Sequence, residues 1–434
     1  MKVIEEWLEP RLPLIYRNCD GLVRTGRVLA VAPAEITVSM RGVSCGSLIA
    51  VHTQRHGARF ARVRTVREGE VGAVPIEPLR GVGVGDRASS TNAELGSFCG
   101  LGLLGRAVDA WGGPRHPDCV VVGIEDRAVP LERRRPIEEP LCTGIASIDA
   151  LCTIGVGQRV ALFAGAGVGK STLLRLIAQH ATFDAHVFAL IGERGREAAE
   201  TVARLRESPR WPATTVVCAT AEAPPHERLA AAYTALAQAE WLCERGRDVL
   251  LTVDSLTRVA NAWREIALAA GEPPAHRGHP ASLVTTLASI VERAGARTQG
   301  SITAIFAVLV DADDQFEPVT DVVRGLLDGQ IVLARSLAET GRFPPIDVLR
   351  SASRLMHRLV PVHHMANAAL VRKALAALER AEDLFAIGAY APGGDAMLDA
   401  AVAQRDRLER FLFPGDRARS DPLVELAEIA SLLR

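Results

Sequence analysis

The chain has 434 residues, of which 48% are hydrophobic and 23% charged, and this composition excludes intrinsic disorder over most of its length. At ~100–200 residues per domain, such a length predicts a protein of several domains. The 50 Lys and Arg residues nearly balance the 51 Asp and Glu residues. The formal net charge of −1 gives no support for a large basic nucleic-acid-binding face.

The N-terminal segment, residues 1–10, carries acidic residues where a signal peptide would need an apolar core. No apolar run in the chain reaches the ~20 residues that span a bilayer. We therefore predict a cytoplasmic protein. Four residues of the segment form an apolar stripe at helical spacing: Val3, Ile4, Trp7 and Leu8. The stripe indicates a terminus packed on the first domain, which we favour, or a docking helix for a membrane or a partner protein.

Residues 20–90 alternate apolar and polar side chains, as half-buried β-strands do. Ile36, Val38 and Met40 are separated by Thr37 and Ser39, and the run from Ala61 to Thr65 shows the same period. Glycines punctuate the runs as hairpin turns would. This pattern predicts a small antiparallel barrel or sandwich.

From about residue 155 the pattern changes to continuous apolar runs with helical stretches between most of them. Buried strands that alternate with helices are typical of a parallel sheet covered on both faces. The runs are residues 159–164, 186–191, 214–219, 248–254, 302–310 and 330–334.

After about residue 358 the strand pattern disappears, and apolar residues recur at helical spacing. Val371, Leu375 and Leu378 share one helical face, and so do Leu423, Leu426 and Leu433. We therefore predict an α/β protein of three domains. They are an N-terminal β-barrel domain over 1–90, a parallel-sheet core over 91–358 and a helical domain over 359–434.

The strongest chemical signal is a glycine-rich loop that follows an apolar strand and opens an amphipathic helix. It contains Ala164, Gly165, Ala166, Gly167, Val168, Gly169, Lys170, Ser171 and Thr172. This context is typical of a phosphate-binding loop, in which backbone N–H groups and the helix N-terminus cradle the phosphates. Lys170 would reach the β- and γ-phosphates and Ser171 would bind Mg²⁺. Lys170 is conspicuous because the chain has only two other lysines, Lys2 and Lys373.

Two strand ends supply candidate carboxylates. Asp254 ends the strand over 248–254, at the edge where α/β sheets bind ligands, and it could hold Mg²⁺ through water. Glu193 lies in the charged loop Gly192-Glu193-Arg194-Gly195-Arg196-Glu197, and a carboxylate near the γ-phosphate can polarise the attacking water. Taken alone, each of these has a plain reading, a helix N-cap for Asp254 and a solvated loop for Glu193.

A fourth candidate is Arg354, in the run Ser351-Ala352-Ser353-Arg354 that follows Phe343-Pro344-Pro345. An Arg inserted at a neighbour's γ-phosphate stabilises the charge of the transition state. The same pattern is compatible with a surface or salt-bridged Arg.

Together, the order of GAGVGKST, GERGRE, LLTVDSLTR and SASR resembles the hexameric ATPases related to the catalytic subunit of rotary ATP synthases. Within that group the chain looks most like the type III secretion ATPases, injectisome or flagellar, over residues 20–412. Three stretches carry this finer resemblance: 140–149, 270–275 and 381–390.

The resemblance implies a ring of six subunits, each with an N-terminal β-barrel, a RecA-like P-loop ATPase core and a C-terminal helical domain. It implies that Lys170 and Ser171 act in the phosphate-binding loop, that Glu193 is the catalytic carboxylate and that Asp254 is the second Mg²⁺ carboxylate. It further implies roles for three more residues: Arg194 beside the γ-phosphate, Arg354 as the finger reaching the adjacent subunit, and Phe343 stacked on adenine.

The sequence also departs from the family pattern. The usual glutamate–glycine–aspartate–aspartate run reads Asp311-Ala312-Asp313-Asp314, the usual Asn soon after is Phe316, and the tail reads Phe413-Pro414-Gly415. These changes affect the adenine pocket and the contacts of the C-terminal domain rather than the phosphate chemistry.

The function implied is ATP hydrolysis that energises protein export by stripping chaperones from substrates and unfolding them at the export gate. The implied cofactors are ATP and Mg²⁺. The implied partners are further copies of the chain, stator and stalk proteins, secretion chaperones, secreted substrates and the gate at the cytoplasmic face of the inner membrane. No nucleic acid is expected, and the flagellar and injectisome systems both remain open.

Three alternatives remain: a rotary ATP synthase catalytic subunit of the same fold, an RNA-translocating hexameric helicase from a different functional class, and a non-catalytic ring subunit. The secretion-type stretches weigh against the first. The helicase would need stacking aromatics, but residues 20–90 contain one aromatic residue, Phe60. A non-catalytic subunit would typically lack the carboxylate that Glu193 supplies.

Overall fold

The structure is a computed structural model. It describes residues 14–16, 23–32, 35–91, 93–124, 129–310, 318–414 and 421–434. The apolar stripe of residues 1–10 and the departures at 311–316 lie outside the described residues. The chain divides into two compact units, Met1–Pro130 with Ala185–Arg293 and Leu131–Asp184 with Ala294–Arg434. The domain boundaries over 1–90, 91–358 and 359–434 stay a prediction.

The first unit begins with a closed antiparallel barrel of six strands in the order β2-β3-β6-β5-β4-β7. Apolar side chains of the alternating runs fill the barrel core, where Ile36, Val38 and Val63 are fully buried. The strands are β2 (Thr25–Val31), β3 (Ile36–Ser39), β4 (Leu48–Thr53), β5 (Gly57–Arg67), β6 (Glu70–Pro75) and β7 (Arg87–Ser90). The predicted barrel is therefore confirmed.

Beside the barrel, a small antiparallel sheet has the strand order β1-β8-β10. Its strands are β1 (Leu14–Tyr16), β8 (Ala93–Gly100) and β10 (Cys119–Gly123). The side chain of Gln238 binds both backbone polar groups of Gly100, the last residue of β8. It accepts a hydrogen bond from Gly100 N at 2.9 Å and donates one to Gly100 O at 3.0 Å.

The first unit also contains four parallel strands in the order β9-β13-β12-β14. They are β9 (Arg106–Val108), β12 (Ala185–Ile191), β13 (Thr214–Ala219) and β14 (Asp248–Asp254). The last three coincide with predicted apolar runs, and nearly all their residues are buried. The helices α3 (Gly195–Arg206), α4 (Pro225–Cys243), α5 (Leu256–Ala269) and α6 (Ser282–Val291) follow or connect these strands.

The second unit holds parallel strands in the order β16-β11-β17, with β15 and β18 paired antiparallel at β16 and β17. Their bounds are β11 (Arg159–Ala164), β15 (Gly295–Ala296), β16 (Ser301–Leu309), β17 (Gly329–Val332) and β18 (Ala352–Ser353). Helices α1 (Ala146–Leu151), α2 (Lys170–His180), α7 (Pro318–Leu326) and α8 (Arg335–Glu339) belong to the same unit. Parallel strands that alternate with helices confirm the predicted parallel-sheet core.

Beyond residue 355 the described chain is helical, as the sequence predicts. The helices are α9 (Met356–Leu359), α10 (Val362–Arg380), α11 (Glu382–Ala386), α12 (Ala396–Ala403), α13 (Arg405–Leu412) and α14 (Pro422–Leu432). Asp395 and Asp421 accept hydrogen bonds from backbone N–H groups in the first turns of α12 and α14. None of the described helices is both long enough and apolar enough to cross a membrane.

Candidate nucleotide-binding site

The glycine-rich loop joins β11 to α2, as predicted. β11 ends at the buried Ala164, and α2 begins at Lys170. Gly167 and Gly169 have positive φ angles of 76° and 104°, which L side chains adopt only with strain. The loop is anchored by the buried Val168, whereas Ala166 and Gly167 are exposed. The backbone therefore turns outward between the strand and the helix.

The loop ends at a helix N-terminus that carries no acidic residue in its first turn. The first N–H groups of an α-helix have no partner within the helix, and together with the helix dipole they favour an anion. Lys170 is 8% exposed, while Ser171 and Thr172 are exposed at the same end. This arrangement is suited to phosphate.

Two further elements of the second unit lie against the loop. Arg335, at the start of α8, donates from Nη2 to the carbonyl oxygen of Ala166 at 3.1 Å. A Cβ atom at Gly169 would lie 3.8 Å from Pro345 and 3.9 Å from Phe343. Phe343 is 48% exposed, so an aromatic face is available next to the phosphate-binding loop.

The two candidate carboxylates lie in the first unit, at the carboxyl ends of neighbouring parallel strands. β12 pairs with β14 so that Leu190 faces Asp254, and Glu193 follows three residues later. Asp254 is 2% exposed. The structure thus places both carboxylates at one edge of their sheet, where ligands of α/β folds bind.

Glu193 has a cationic partner, Arg258, on α5. Arg258 Nη2 donates to Glu193 Oε2 at 3.2 Å, and its Nη1 donates to the carbonyl oxygen of Gly192. The side chain of Glu193 is 12% exposed. The guanidinium therefore holds both the carboxylate and the backbone of the loop.

Arg194 is placed differently from its neighbour. Its side chain is 79% exposed and lies 3.6 Å from Glu197 in the first turn of α3.

Arg354 follows β18 in the second unit and is also exposed. Its backbone N–H donates to Asp328 O at 2.9 Å, and its Nη2 donates to Arg324 O at 3.0 Å. The Arg354 guanidinium thus sits at the surface of its own subunit.

Arg258 and Arg335 were not among the predicted site residues. Arg258 lies four residues after Asp254 in the run LLTVDSLTR, and this spacing was the available signal. Arg335 lies 169 residues from Ala166 in sequence, so no local pattern connects the two. Across the described residues, no group of three or more His, Cys, Asp and Glu side chains could hold a metal ion.

A phosphate-binding loop between a buried parallel strand and a helix defines a P-loop nucleotide-binding protein. Two family models match the chain: the ATP synthase alpha/beta family, nucleotide-binding domain, over residues 144–353, and the T3SS EscN ATPase C-terminal domain over residues 360–422. The second model separates the chain from rotary synthase subunits and from helicases.

Curated relatives agree with these family models. The chain is 39% identical to a flagellum-specific ATP synthase of Treponema pallidum, covering 96% of this chain and 95% of the relative. It is 40% identical to a type 3 secretion system ATPase of Xanthomonas euvesicatoria, covering 90% and 89%. The assembled ATPase EscN of enteropathogenic E. coli superposes with a TM-score of 0.87 at 36% identity, over 94% of this chain and 100% of EscN.

The chain therefore belongs to the family of flagellar and type III secretion ATPases, and the resemblance stated from sequence is confirmed. It is an ATP-binding enzyme that hydrolyses ATP in the service of type III export.

Proposed function

We propose that the chain hydrolyses ATP at a site shared between neighbouring subunits of a six-membered ring, and that hydrolysis releases chaperones and unfolds substrates for export. The phosphate-binding loop over 164–172 carries this proposal. Its two left-handed glycines, its helix N-terminus and Lys170 make a site for the phosphates of ATP. Phe343 beside Gly169 supplies an aromatic face for the adenine.

The phosphate-binding loop binds ATP in the ground state. The backbone N–H groups around Gly167 and Gly169 hold the phosphate oxygens, and Lys170 brings a positive charge to the β- and γ-phosphates. Arg335 donates to the carbonyl of Ala166 and so keeps this part of the loop in place. Gly165, Ala166, Val168 and Thr172 complete the loop.

The donor set fits Mg²⁺, which prefers oxygen ligands. Ser171 offers an exposed hydroxyl in the first turn of α2, and Asp254 offers a carboxylate at the end of β14. These are the residues that would hold the ion. When bound, Mg²⁺ neutralises charge on the β- and γ-phosphates.

Glu193 acts as the base that orients and polarises the attacking water. Its contact with Arg258 fixes the direction of the carboxylate before ATP binds. Arg194, exposed on the same loop, contributes positive charge beside the γ-phosphate.

Arg354 completes the site of the adjacent subunit. It is exposed on its own subunit, and an exposed cation at a ring interface can reach the γ-phosphate bound next door. Charge developing on that phosphate in the transition state is then stabilised in trans. Hydrolysis on this view requires assembly.

The partners follow from the relatives. EscN has been described both assembled and in complex with its central stalk EscO. By the same arrangement, this chain would form a homo-hexamer around a stalk protein, held by stator proteins at the cytoplasmic face of the inner membrane. Secretion chaperones, their substrates and the export gate would meet the ring there.

Hydrolysis assays with added partners test the proposal. We expect ATP turnover that rises on assembly and changes on adding a cognate chaperone–substrate complex, and that single-stranded RNA leaves unchanged. Chaperone release should require ATP rather than a non-hydrolysable analogue. Stimulation by RNA, or chaperone release without hydrolysis, would contradict the export mechanism.

A further inference from the structure

Arg372, in the middle of α10, joins three separate segments of the second unit. Its Nη1 donates to Leu151 O at 3.3 Å and contacts Cys152 Sγ at 3.7 Å, both at the end of α1. Its Nη2 donates to Leu349 O at 3.3 Å and to Ser351 O at 3.0 Å. One partly buried guanidinium thus connects the C-terminal helices to the stretch just before Arg354.

That stretch, residues 347–351, is itself tightly hydrogen-bonded. Asp347 Oδ1 accepts from the N–H groups of Leu349 and Arg350, each at 3.0 Å. The buried Ser351 donates from Oγ to Asp347 O at 2.6 Å and accepts from Val332 N at 2.9 Å. The stretch is therefore a compact turn whose outward carbonyls, at Leu349 and Ser351, face Arg372.

Only two residues separate Ser351 from Arg354. Between them, Ala352 and Ser353 form the short strand β18, paired with β17 through two residues. Gln158 adds a hydrogen bond from Nε2 to Ser353 Oγ at 3.1 Å. A short run of backbone thus sets the direction in which the Arg354 side chain projects. Arg372 donates hydrogen bonds to the start of that run.

We propose that Arg372 is a positioning residue for Arg354: it holds the 347–351 turn so that Arg354 projects correctly toward the neighbouring subunit. This inference rests on the proposed function in one respect, the role of Arg354 in trans. Arg suits the task because its planar fork presents several donors in fixed directions, whereas Lys presents one compact ammonium. Lys can therefore reach one pair of acceptors but not both.

The consequence of losing the fork follows from geometry. Unpaired carbonyls at a partly buried turn would draw in water or shift, and Arg354 would shift with them. A displacement of ~1 Å at a transition-state contact can lower the rate by about 100-fold. The hydrogen bonds of Arg372 go to Leu151, Cys152 and the 347–351 turn rather than to the phosphate-binding loop, so ATP affinity should not change.

The test compares Arg372→Met with a matched control, Arg380→Met. Arg380 lies two turns further along α10 and donates within the helix, to Ala376 O. We expect Arg372→Met rings to show kcat reduced roughly 10- to 100-fold with ATP affinity within about twofold of wild type. Arg380→Met should match wild type in both. A wild-type kcat for Arg372→Met would overturn the proposal.

A double variant separates positioning from general structural damage. If Arg372 acts through Arg354, then Arg372→Met combined with Arg354→Ala should be no slower than Arg354→Ala alone. Additive losses would mean that Arg372 acts elsewhere and would also overturn the proposal. If Arg354→Ala itself has a wild-type kcat, the shared-site mechanism fails instead, and that result is distinct from the first two.

Mixed rings give a readout that a folding defect cannot mimic. Lys170→Ala subunits cannot hydrolyse ATP but present a correctly held Arg354 to an Arg372→Met neighbour. Mixing the two should raise turnover above the sum of the separate preparations. If Arg372→Met does not fold, Arg372→Lys serves in its place, with a smaller expected loss of kcat. Absence of rescue, with subunit exchange verified, would contradict the positioning role.

Discussion

At the scale of single residues, Lys170 offers the most direct test of the phosphate-binding loop. Lys170→Ala should abolish hydrolysis because it removes the positive charge at the β- and γ-phosphates. The fold should survive, since the loop conformation depends on Gly167 and Gly169. Lys373→Ala, an exposed position on α10, is the matched control and should hydrolyse ATP normally. Near-wild-type turnover in a folded Lys170→Ala protein would refute the assignment.

Glu193 separates binding from chemistry. Glu193→Gln keeps the shape of the side chain and can still accept a hydrogen bond from Arg258, but it loses the negative charge that polarises water. ATP binding should persist while turnover falls by ~10²–10⁴, the range for a general base. Glu200→Gln, in an exposed pair with Arg196 on α3, is the control. Loss of ATP binding together with turnover would make Glu193 structural.

At the scale of elements, His186 on β12 should make the stability of the folded protein depend on pH. Complete burial lowers the pKa of His186 to about 3, and its Nε2 lies 3.1 Å from Thr252 Oγ1 on β14. Below its usual pKa of about 6.5 the unfolded chain binds a proton that the folded chain does not, so stability falls as pH falls. The free energy of unfolding should therefore be about 2 kcal/mol lower at pH 5 than at pH 7.

Chemical denaturation between pH 7 and pH 5 measures this effect. His186→Gln removes one titrating group, so the fall in unfolding free energy over that range should shrink by about 2 kcal/mol. The variant of an exposed histidine, His357→Gln, should leave the pH dependence as it is in the wild type. An unchanged slope in His186→Gln would show that His186 is not the group that binds the proton on unfolding.

A buried ion pair joins α4 to the end of α6. Arg293 Nε and Nη2 donate to the two carboxylate oxygens of Glu240 at 3.0 and 2.7 Å, and the side chains are 4% and 2% exposed. Glu240→Ala leaves Arg293 with a buried charge that has lost this partner, and should destabilise the protein by about 3–5 kcal/mol.

The exposed pair of Arg196 and Glu200 provides the comparison. Glu200→Ala should cost at most about 1 kcal/mol, because water and salt screen exposed pairs. Thermal unfolding of both variants gives the difference. Equal shifts in melting temperature would contradict the assigned importance of the buried pair.

The elements themselves were largely predictable. The apolar runs over 159–164, 214–219 and 248–254 coincide with β11, β13 and β14. Side-chain exposure was less predictable. Thr65 is only partly buried although it continues the alternation from Ala61 and Val63, because a bulge between Val63 and Thr65 shifts the register. A one-residue shift turns the following side chains to the other face.

The C-terminal helices show a related difference. Helical spacing predicted that Val371, Leu375 and Leu378 share one face, but in α10 the buried residues include Val371, Ala374 and Ala377, and Leu375 and Leu378 are only partly buried. Leu423 is 47% exposed, whereas Leu426 is 1% exposed. Periodicity identifies a helix, but the neighbouring element that packs on it determines which side of the apolar stripe is buried. Small residues such as Ala374 and Ala377 occupy positions where helices approach closely.

At the scale of the whole molecule, Arg354 tests whether the active site is shared. If each site needs Arg354 from a neighbour, specific activity should rise with protein concentration until rings form. Arg354→Ala should bind ATP and hydrolyse it poorly, because arginine fingers contribute ~10³–10⁵ in rate. Arg358→Ala, an exposed position on α9, is the control and should retain its activity.

Mixing experiments sharpen that test. Lys170→Ala subunits retain Arg354, and Arg354→Ala subunits retain Lys170, so mixed rings contain some complete sites. Part of the activity should return, limited if neighbouring sites must fire in sequence. Concentration-independent activity together with no rescue on mixing would show that Arg354 acts within its own subunit, where its guanidinium contacts Arg324 O.

The sequence by itself determined the features that depend on neighbouring residues: the strand–loop–helix around Lys170, the carboxylates at strand ends and the helical C-terminal part. Spacing over a few residues dictates backbone geometry directly, so these features could be inferred without a structure. The tertiary structure decided the pairings over long distances in sequence. Arg258 meets Glu193 across 65 residues, Arg335 meets Ala166 across 169, and Arg372 meets Leu151 across 221. Such contacts depend on strand order and helix packing, which bring distant segments together and leave no periodic trace in the chain.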